Sequence, residues 1–223
     1  MRVILSGYAN KKDMIGAINV AHIYFLISKP WQSYELKRVL LQALKHHDLQ
    51  QENRRLAEMY LRDTGFKHSL MHKDTCQVIV VDDGPYVLKA LERELDETFT
   101  QGCFGLYKLE IHTFNKTGPA LLAAHEQQFY VVISDYAMPF TSGIEFLRMF
   151  RNVQPDAVRI LISGKAGVNV LVEAVNVAGI SHFIGKPWHD YELRSAIDRA
   201  LSQRELELDN RILAGLMKLR TEH

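Results

Sequence analysis

The chain has 223 residues and carries 27 lysines and arginines against 26 aspartates and glutamates, so its net charge is close to neutral. This balance gives no general field for attracting nucleic acid, and no apolar run is long enough for a signal peptide or a bilayer span. Cys76 and Cys103 stand alone without metal-ligand spacing, which is typical of ordinary thiols in a reducing cytosol. We therefore expect a cytoplasmic protein that binds neither nucleic acid nor membrane.

A repeat divides the chain into two related parts. Residues 2–44 resemble residues 159–201 along their whole length, and one shift of 157 positions aligns Lys29-Pro30 with Lys186-Pro187. Further strand and helix patterns precede the second copy but not the first, so only the second copy is a whole domain. The predicted organisation is the C-terminal half of a domain at 1–44, a helical linker at 45–74, a complete domain at 75–201 and a C-terminal helix at 202–223.

The first copy carries two predicted strands, Val3–Leu5 and Tyr24–Ile27, and it keeps Ser6 and Lys29 without aspartates to accompany them. Two strands cannot bury their inner faces alone, so another chain or the complete domain must cover them. We therefore hypothesise a homo-oligomer that forms through the half domain and the linker helix. The alternative is that the sequence begins inside a longer tandem protein, which is compatible with self-association.

The linker is polar and rich in good helix formers, so we expect it to continue the helix that precedes it. Leu49, Asn53 and Leu56 fall on positions d, a and d of a heptad, and the shift of 157 positions repeats the pattern in the C-terminal helix. An asparagine at position a favours paired helices in fixed register, which makes the linker a candidate coiled coil. The alternative is a solvated helix whose leucines contact their own domain.

The complete copy alternates between strand and helix patterns. The predicted strands are Val78–Val81, Leu109–Phe114, Tyr130–Ser134, Arg159–Ile162 and His182–Ile184. The first predicted helix begins at Pro85, and the others cover Ala120–His125, Ile144–Phe150, Val170–Val177 and Tyr191–Leu201. Gly102 and Gly105 indicate a surface loop over 98–108. The alternation predicts an α/β fold with a doubly wound, five-stranded parallel sheet.

Polar residues stand at the carboxyl ends of four of these strands. Asp82 and Asp83 follow the first strand, Asp135 follows the third, Ser163 ends the fourth and Lys186 follows the fifth. Because parallel strands end at one edge of a sheet, these side chains should meet there. Crowded carboxylates call for a divalent cation such as Mg²⁺, and a carboxylate beside it can attack a phosphoryl group. The alternative is that the aspartates cap helices or turns and that the lysine is a passive ion-pair partner.

The complete copy resembles the receiver domain of two-component response regulators. The motifs that carry the resemblance are Val81-Asp82-Asp83, Asp135-Tyr136-Ala137-Met138-Pro139 followed by Gly143, Ser163-Gly164 and Lys186-Pro187. The resemblance implies the five-stranded, flavodoxin-like receiver fold. It also implies that Asp135 is the phosphoacceptor, and that Mg²⁺ is bound by Asp82, Asp83, Asp135 and the backbone carbonyl of Ala137.

The resemblance further implies that Lys186 contacts the phosphoryl group and that Ser163 and Phe183 are the switch residues. It implies a cis peptide bond between Lys186 and Pro187. The flanking positions depart from the commonest pattern, because Ala137 lacks a polar side chain and Lys165 stands two residues beyond the serine. By resemblance, such positions influence the lifetime of the phosphoaspartate.

The function implied is phosphorelay signalling. A sensor histidine kinase or phosphotransfer protein would phosphorylate Asp135 with the help of Mg²⁺, and the added charge would change a protein-interaction face. The protein would not be an enzyme with a separate substrate, since it would assist only its own phosphorylation and dephosphorylation. Two alternatives stay open: a receiver-like dimerisation or interaction scaffold that takes no phosphate, and a regulatory fragment of a larger protein with its own output domain.

Overall fold

The computed structural model describes residues 2–7, 10–21, 23–31, 33–65, 75–95, 99–102, 105–188 and 190–221. The predicted thiol Cys103, the end of the linker at 66–74 and the last two residues lie outside this described part. Within it, no helix combines the length and apolar character that crossing a membrane requires.

The N-terminal part of the chain, residues 2–64, forms one strand–helix–strand–helix unit, called the N-terminal unit below. Its elements are β1 (Val3–Ser6), α1 (Lys11–Ala21), β2 (Phe25–Ser28) and α2 (Ser33–Thr64). The two strands pair in parallel as a separate two-stranded sheet, with Val3 opposite Phe25. The predicted continuation of the helix into the linker is confirmed, because α2 runs without a break through residues 45–64.

The C-terminal unit, residues 75–221, is a sheet with helices on both faces. Its elements are β3 (Thr75–Val81), α3 (Pro85–Leu95), β4 (Phe99–Gly102), β5 (Gly105–Phe114), α4 (Thr117–Glu126), β6 (Val131–Asp135), α5 (Gly143–Val153), β7 (Val158–Ser163), α6 (Val168–Glu173) with a π-helical turn (Ala174–Ala178), β8 (His182–Gly185) and α7 (Asp190–Thr221). The strand order is β4-β5-β3-β6-β7-β8, and the five strands from β5 to β8 are parallel. The predicted doubly wound parallel sheet is confirmed.

The predicted surface loop over 98–108 is wrong. Strand β4 pairs antiparallel with the start of β5, so that Phe99 lies opposite Lys108 and Gly102 opposite Gly105. The glycines correctly indicate a reversal of the chain, but the aromatic and β-branched residues around them favour a strand on each side. The result is a hairpin that adds a sixth, antiparallel strand at the edge of the sheet.

The N-terminal unit packs on the C-terminal unit through one shared core. Met14 and Ile18 of α1 and Leu26 of β2 are buried in the same apolar cluster as Val175 and Phe183 of the C-terminal unit. The cover that the sequence requires for the first two strands is therefore provided within the chain. Burying such large apolar side chains contributes about 1.5–3 kcal/mol each, so the contact is part of the fold rather than a loose association.

The helices α2 and α7 lie side by side, and only part of the predicted heptad lies between them. Leu49 and Leu206 are 56% and 48% exposed. Leu56 of α2, by contrast, is buried and packs with Ala214 and Met217 of α7. Gln50 of α2 also donates a hydrogen bond of 3.4 Å to Glu207 of α7. The candidate coiled coil stays a prediction.

Cys76 lies in β3 and is completely buried. Burial raises the pKa of this thiol to about 12, and the positive charge of Arg204 opposes that increase only partly. A thiol ionises near pH 9 in the unfolded chain, so its contribution to stability is complete below that pH and declines as the pH rises towards 12. We expect no labelling of native Cys103→Ser protein by a thiol reagent at mildly alkaline pH and full labelling in denaturant. Rapid stoichiometric labelling of the native protein would contradict this burial.

Candidate functional site

The carboxyl ends of the parallel strands bring the predicted residues together at one edge of the sheet. Asp82 follows β3, Asp135 ends β6 and Lys186 follows β8. The Lys186 ammonium lies 2.7 Å from Oδ2 of Asp82 and 2.6 Å from Oδ1 of Asp135. Both carboxylates are nearly inaccessible, with side chains 4% and 8% exposed. A single cation therefore bridges two buried acids from different strands, and these three residues lie together at the edge of the sheet, where the sequence pattern predicts them.

Asp135 is held rigidly by the turn that follows it. Its Oδ2 accepts a hydrogen bond of 2.6 Å from the backbone N–H of Ala137. The backbone N–H of Gly143 donates to the carbonyl oxygen of Tyr136, which folds α5 back against the end of β6. A Cβ atom at position 143 would lie 2.0 Å from the carbonyl oxygen of Asp135, so this close approach requires glycine.

The acidic pair at the end of β3 is divided between two environments. Asp82 is buried, and its Oδ1 accepts a hydrogen bond of 2.8 Å from the backbone N–H of Gly84. Asp83 is exposed. One acid is thus built into the site, whereas its neighbour faces solvent at the rim.

The two predicted switch residues are buried, and neither has a described hydrogen bond to Asp135. The hydroxyl of Ser163 accepts a hydrogen bond of 3.2 Å from the backbone N–H of Lys165, and the described contacts include no hydrogen bond from it to Asp135. Phe183 is completely buried in β8, within the core shared by the two units. The Lys186–Pro187 peptide bond is cis, as is Lys29–Pro30.

The charge of Lys186 is protected by its partners. Burial has the largest influence and by itself would lower the pKa of the ammonium, but the hydrogen bonds to Asp135 and Asp82 outweigh it, so the pKa is raised. Lys186 therefore remains charged throughout the physiological range. A permanent positive charge beside a carboxylate suits a reaction in which negative oxygens gather at the same place.

The site has only part of the arrangement that a metal centre requires. Across the described residues, no group of three His, Cys, Asp or Glu side chains is already arranged to hold a metal ion. The predicted ligand set is therefore only partly assembled, since Lys186 lies between Asp82 and Asp135 while Asp83 faces solvent. The donors are nonetheless all oxygen atoms, and the carboxylates keep lone pairs beyond those used here, so their chemistry fits Mg²⁺.

The strand that carries Phe183 is held by a residue absent from the sequence prediction. The side-chain amide of Asn19, on α1, accepts a hydrogen bond from the backbone N–H of Phe183 and donates one to its carbonyl oxygen, both at 2.8 Å. The shift of 157 positions that relates the two copies pairs Asn19 with Asn176. The asparagine shared by the two copies of the repeat was the sequence signal that could have identified this residue.

Comparison with known proteins agrees with this geometry. A family profile described as the response regulator receiver domain matches residues 78–198. The chain belongs to this family. The receiver match lies within the C-terminal unit; the N-terminal unit has a partial receiver-like fold, and its interpretation as half of a second receiver stays a prediction.

Two curated relatives are transcriptional regulators. The hydrogenase transcriptional regulatory protein HoxA of Cupriavidus necator is 33% identical over 132 residues, which cover 59% of this chain and 25% of that protein. The C4-dicarboxylate transport transcriptional regulatory protein DctD of Pseudomonas aeruginosa is 33% identical over 137 residues, covering 61% and 28%. The receiver chain thus spans only about a quarter of the length of these relatives.

Solved structures support the fold. A CheY-like receiver domain protein from Methanospirillum hungatei matches with a TM-score of 0.52 and 25% identity, covering 60% of this chain and 98% of that one. The receiver domain of an HD domain-containing protein from Pseudomonas fluorescens matches with a TM-score of 0.55 and 23% identity, covering 61% and 94%. The second likeness concerns the fold alone.

Proposed function

We propose that the receiver accepts a phosphoryl group on Asp135 from a sensor histidine kinase or phosphotransfer protein in the cytoplasm. The observation that carries the proposal is the Lys186 ammonium, which lies 2.6 Å from the Asp135 carboxylate and also pairs with Asp82. This cation would neutralise charge on the phosphoryl oxygens as the group arrives. The buried setting strengthens that interaction, because water is largely excluded from around the carboxylates.

In the proposed reaction, a carboxylate oxygen of Asp135 attacks phosphorus and the bond from phosphorus to the donor's histidine nitrogen breaks. Lys186 holds one oxygen of the acceptor before the attack, while the N–H of Ala137 orients the other. When bound, Mg²⁺ would be held by Asp82, Asp83, Asp135 and the Ala137 carbonyl, and it would supply further neutralisation of the phosphoryl charge. Later loss of the group to water would restore the carboxylate without a separate substrate.

The proposed switch runs from Ser163 to Phe183. A phosphoryl group on Asp135 offers new acceptor oxygens, towards which the Ser163 hydroxyl would turn from its bond with Lys165. Phe183 would then repack within the core that it shares with the N-terminal unit. The face formed by α6, β8 and α7 is covered by that unit, so the first consequence of phosphorylation would fall on the contact between the two units.

The proposal is tested by incubating the protein with Mg²⁺ and acetyl phosphate and measuring the intact mass. We expect one labile phosphoryl adduct on the native chain and none on Asp135→Asn, because Lys186 and the backbone N–H of Ala137 together orient the carboxylate of Asp135 for attack. Asp63→Asn, which changes an exposed carboxylate on α2, is the matched control and should keep the adduct. A full-strength adduct on Asp135→Asn would show that the acceptor is wrongly assigned.

A second candidate function is an interaction scaffold that takes no phosphate. The observation in its favour is the extent of the contact between the units, which share an apolar core and a helix pair. Absence of any adduct on the native chain, under conditions that phosphorylate another receiver, would favour the scaffold. Self-association of the chain and control of an output domain, as the names of the transcriptional relatives suggest, stay predictions.

A further inference from the structure

A cavity of about 700 Å³ lies between the two units. Its lining includes Tyr24, Ala157 and Ser181, which directly precede β2, β7 and β8. These are the amino ends of the parallel strands, whereas Asp135 stands at the carboxyl end of β6. The cavity is therefore at the opposite edge of the sheet from the candidate site, and its volume lies within the range of roughly 300–1,000 Å³ that is typical of small-molecule sites.

The lining of this cavity is rich in positive charge. Five arginines line it, together with two acids, Asp156 and Glu207. The arginines are Arg2 of the N-terminal unit and Arg151, Arg159, Arg204 and Arg211 of the C-terminal unit. Within the part of the chain that the structure describes, only Arg211 among them forms an ion pair, and it occupies both carboxylate oxygens of Asp156. The other four guanidinium groups share the described lining with Glu207 alone, so the cavity carries an excess of positive charge.

Two of the arginines are neighbours and keep spare donors. A Cβ atom at Gly179 would lie 3.0 Å from Nη1 of Arg151 and 3.6 Å from Nη2 of Arg159. Arg159 donates from Nε and Nη1 to backbone carbonyl oxygens, but its Nη2 and all three nitrogens of Arg151 have no acceptor among the described residues. Burial and repulsion from Arg151 lower the pKa of Arg159 to about 10. An anion between them would relieve the repulsion and accept the unused hydrogen bonds.

The N-terminal unit contributes an equivalent arginine. The shift of 157 positions pairs Arg2 with Arg159 and Ala21 with Ala178. Nη1 of Arg2 donates to the carbonyl oxygen of Ala21 at 2.6 Å, and Nε of Arg159 donates to that of Ala178 at 3.0 Å. Each unit therefore holds one arginine by its own backbone at the cavity. This holding role is a structural reason for Arg2 and Arg159, but none of the described contacts gives such a reason for Arg151.

An aromatic surface adjoins these charges. The rings of Tyr24 and His46 lie 5.0 Å apart, and both residues line the cavity. The Nδ1 atom of His46 is buried without a hydrogen-bond partner in the described part of the chain. Buried polar atoms are nearly always partnered, so this atom is a second sign that the cavity is built around a polar group. A planar group of a ligand could also stack on the ring of Tyr24.

We propose that the cavity between the two units binds a small molecule that carries a pyrophosphate group, held by Arg151 and Arg159 of one unit and Arg2 of the other. Two linked phosphoryl groups suit guanidinium groups that come from two sides, because each can bind oxygens of a different phosphorus. A ligand bound across the contact stabilises the docked arrangement of the units. The inference rests on charge and packing at the amino edge of the sheet and does not depend on phosphorylation of Asp135.

Calorimetric titration of the full chain with sodium pyrophosphate, without Mg²⁺ and at constant ionic strength, tests the proposal. We expect saturation at one anion per chain. Arg151→Gln should weaken binding about tenfold or more, because it removes charge-assisted hydrogen bonds to the anion. Since it breaks no described contact of the fold, its urea midpoint without ligand should equal that of the native chain.

The matched control is Arg148→Gln, which removes a guanidinium group from the same helix, α5. Arg148 pairs with Glu145 and does not line the cavity, so this variant should bind pyrophosphate as the native chain does. Lack of saturable binding, or an equal loss in Arg148→Gln and Arg151→Gln, would overturn the proposal. Arg2→Gln should weaken binding as well, and native affinity in that variant would overturn the placement of the site between the units.

ADP distinguishes a nucleotide from the free anion as the source of the pyrophosphate group. If a nucleotide is the ligand, ADP should bind more tightly than pyrophosphate, and Tyr24→Leu should abolish that difference while leaving the affinity for pyrophosphate unchanged. Equal affinities that Tyr24→Leu does not alter would support the site with the inorganic anion as its ligand. Binding of ADP that Arg151→Gln leaves unchanged would contradict the assigned role of the arginines.

Discussion

Replacing Gly143 with alanine is expected to lower the free energy of unfolding by about 3 kcal/mol, at the upper end of the cost of overpacking a core. The new methyl group would lie 2.0 Å from the carbonyl oxygen and 2.8 Å from the carbonyl carbon of Asp135. Both are backbone atoms of β6, so no side chain can turn aside to make room. Relief requires α5 to move away from β6, which breaks the hydrogen bond of 2.9 Å from Gly143 to Tyr136.

Urea denaturation of Gly143→Ala and of a matched control measures this effect. Gly118→Ala changes a glycine in the first turn of α4 where a Cβ atom meets nothing within 4 Å. The control should be neutral or stabilising by up to about 1 kcal/mol, because alanine is the better helix former. Because the displaced segment positions Asp135, Gly143→Ala should also form less phosphoryl adduct. Equal stabilities of the two variants would contradict the close approach.

Replacing Lys186 with methionine is also expected to lower the free energy of unfolding substantially. The change leaves the carboxylates of Asp82 and Asp135 buried without the ammonium that bridges them at 2.7 and 2.6 Å. Removing one partner of a buried pair costs about 3–5 kcal/mol. Because the Lys186 side chain is 26% exposed, solvent screening reduces this cost, and we expect a loss of about 2 kcal/mol in the absence of Mg²⁺.

Magnesium and pH separate this effect from a simple packing loss. Mg²⁺ should raise the unfolding midpoint of Lys186→Met more than that of the native protein, because the cation replaces the missing positive charge. The raised pKa of Lys186 gives the native protein stability that is complete below about pH 10.5 and is lost as the pH rises through the folded-state value. The Lys186→Met variant should not show this loss of stability at alkaline pH.

The matched control is Lys165→Met, which removes an exposed lysine two residues beyond Ser163. Exposed charges contribute little to stability, so this variant should unfold within about 0.5 kcal/mol of the native protein and respond to Mg²⁺ as the native protein does. An equal loss in both variants would show that the bridge between Asp82 and Asp135 does not stabilise the fold.

Much of the receiver could be predicted because its pattern is local. Each strand of the parallel sheet is a short apolar run, and each predicted site residue stands at the carboxyl end of its run, so Asp82, Asp135 and Lys186 had to meet once the strands were parallel. Predicting that these three residues meet requires only their positions along the chain and no knowledge of how the elements pack. Gly143 belonged to the motif from the start, although only the structure gives its reason, the 2.0 Å approach to the backbone of Asp135.

The errors arise where long-range contacts decide the outcome. The hairpin of β4 and β5 depends on pairing with the edge of a sheet, and glycines alone do not distinguish a paired turn from a loop. In α2, Leu49 of the predicted heptad is exposed, whereas Leu56 packs against Ala214 and Met217 of α7. A heptad along one helix does not contain the position of the neighbouring helix, so it could not distinguish the two leucines.

The sequence by itself determined the receiver fold, the repeat and the residues gathered at the edge of the sheet, because each rests on local periodicity and on the identity of a few strand-end side chains. Only the tertiary structure decided what covers the incomplete copy, which residues lie between the paired helices and how Asn19 holds the backbone of Phe183 across the contact. Those features depend on which surfaces meet in space. Sequence patterns record that a face must be buried, whereas the geometry of the docked units identifies its partner.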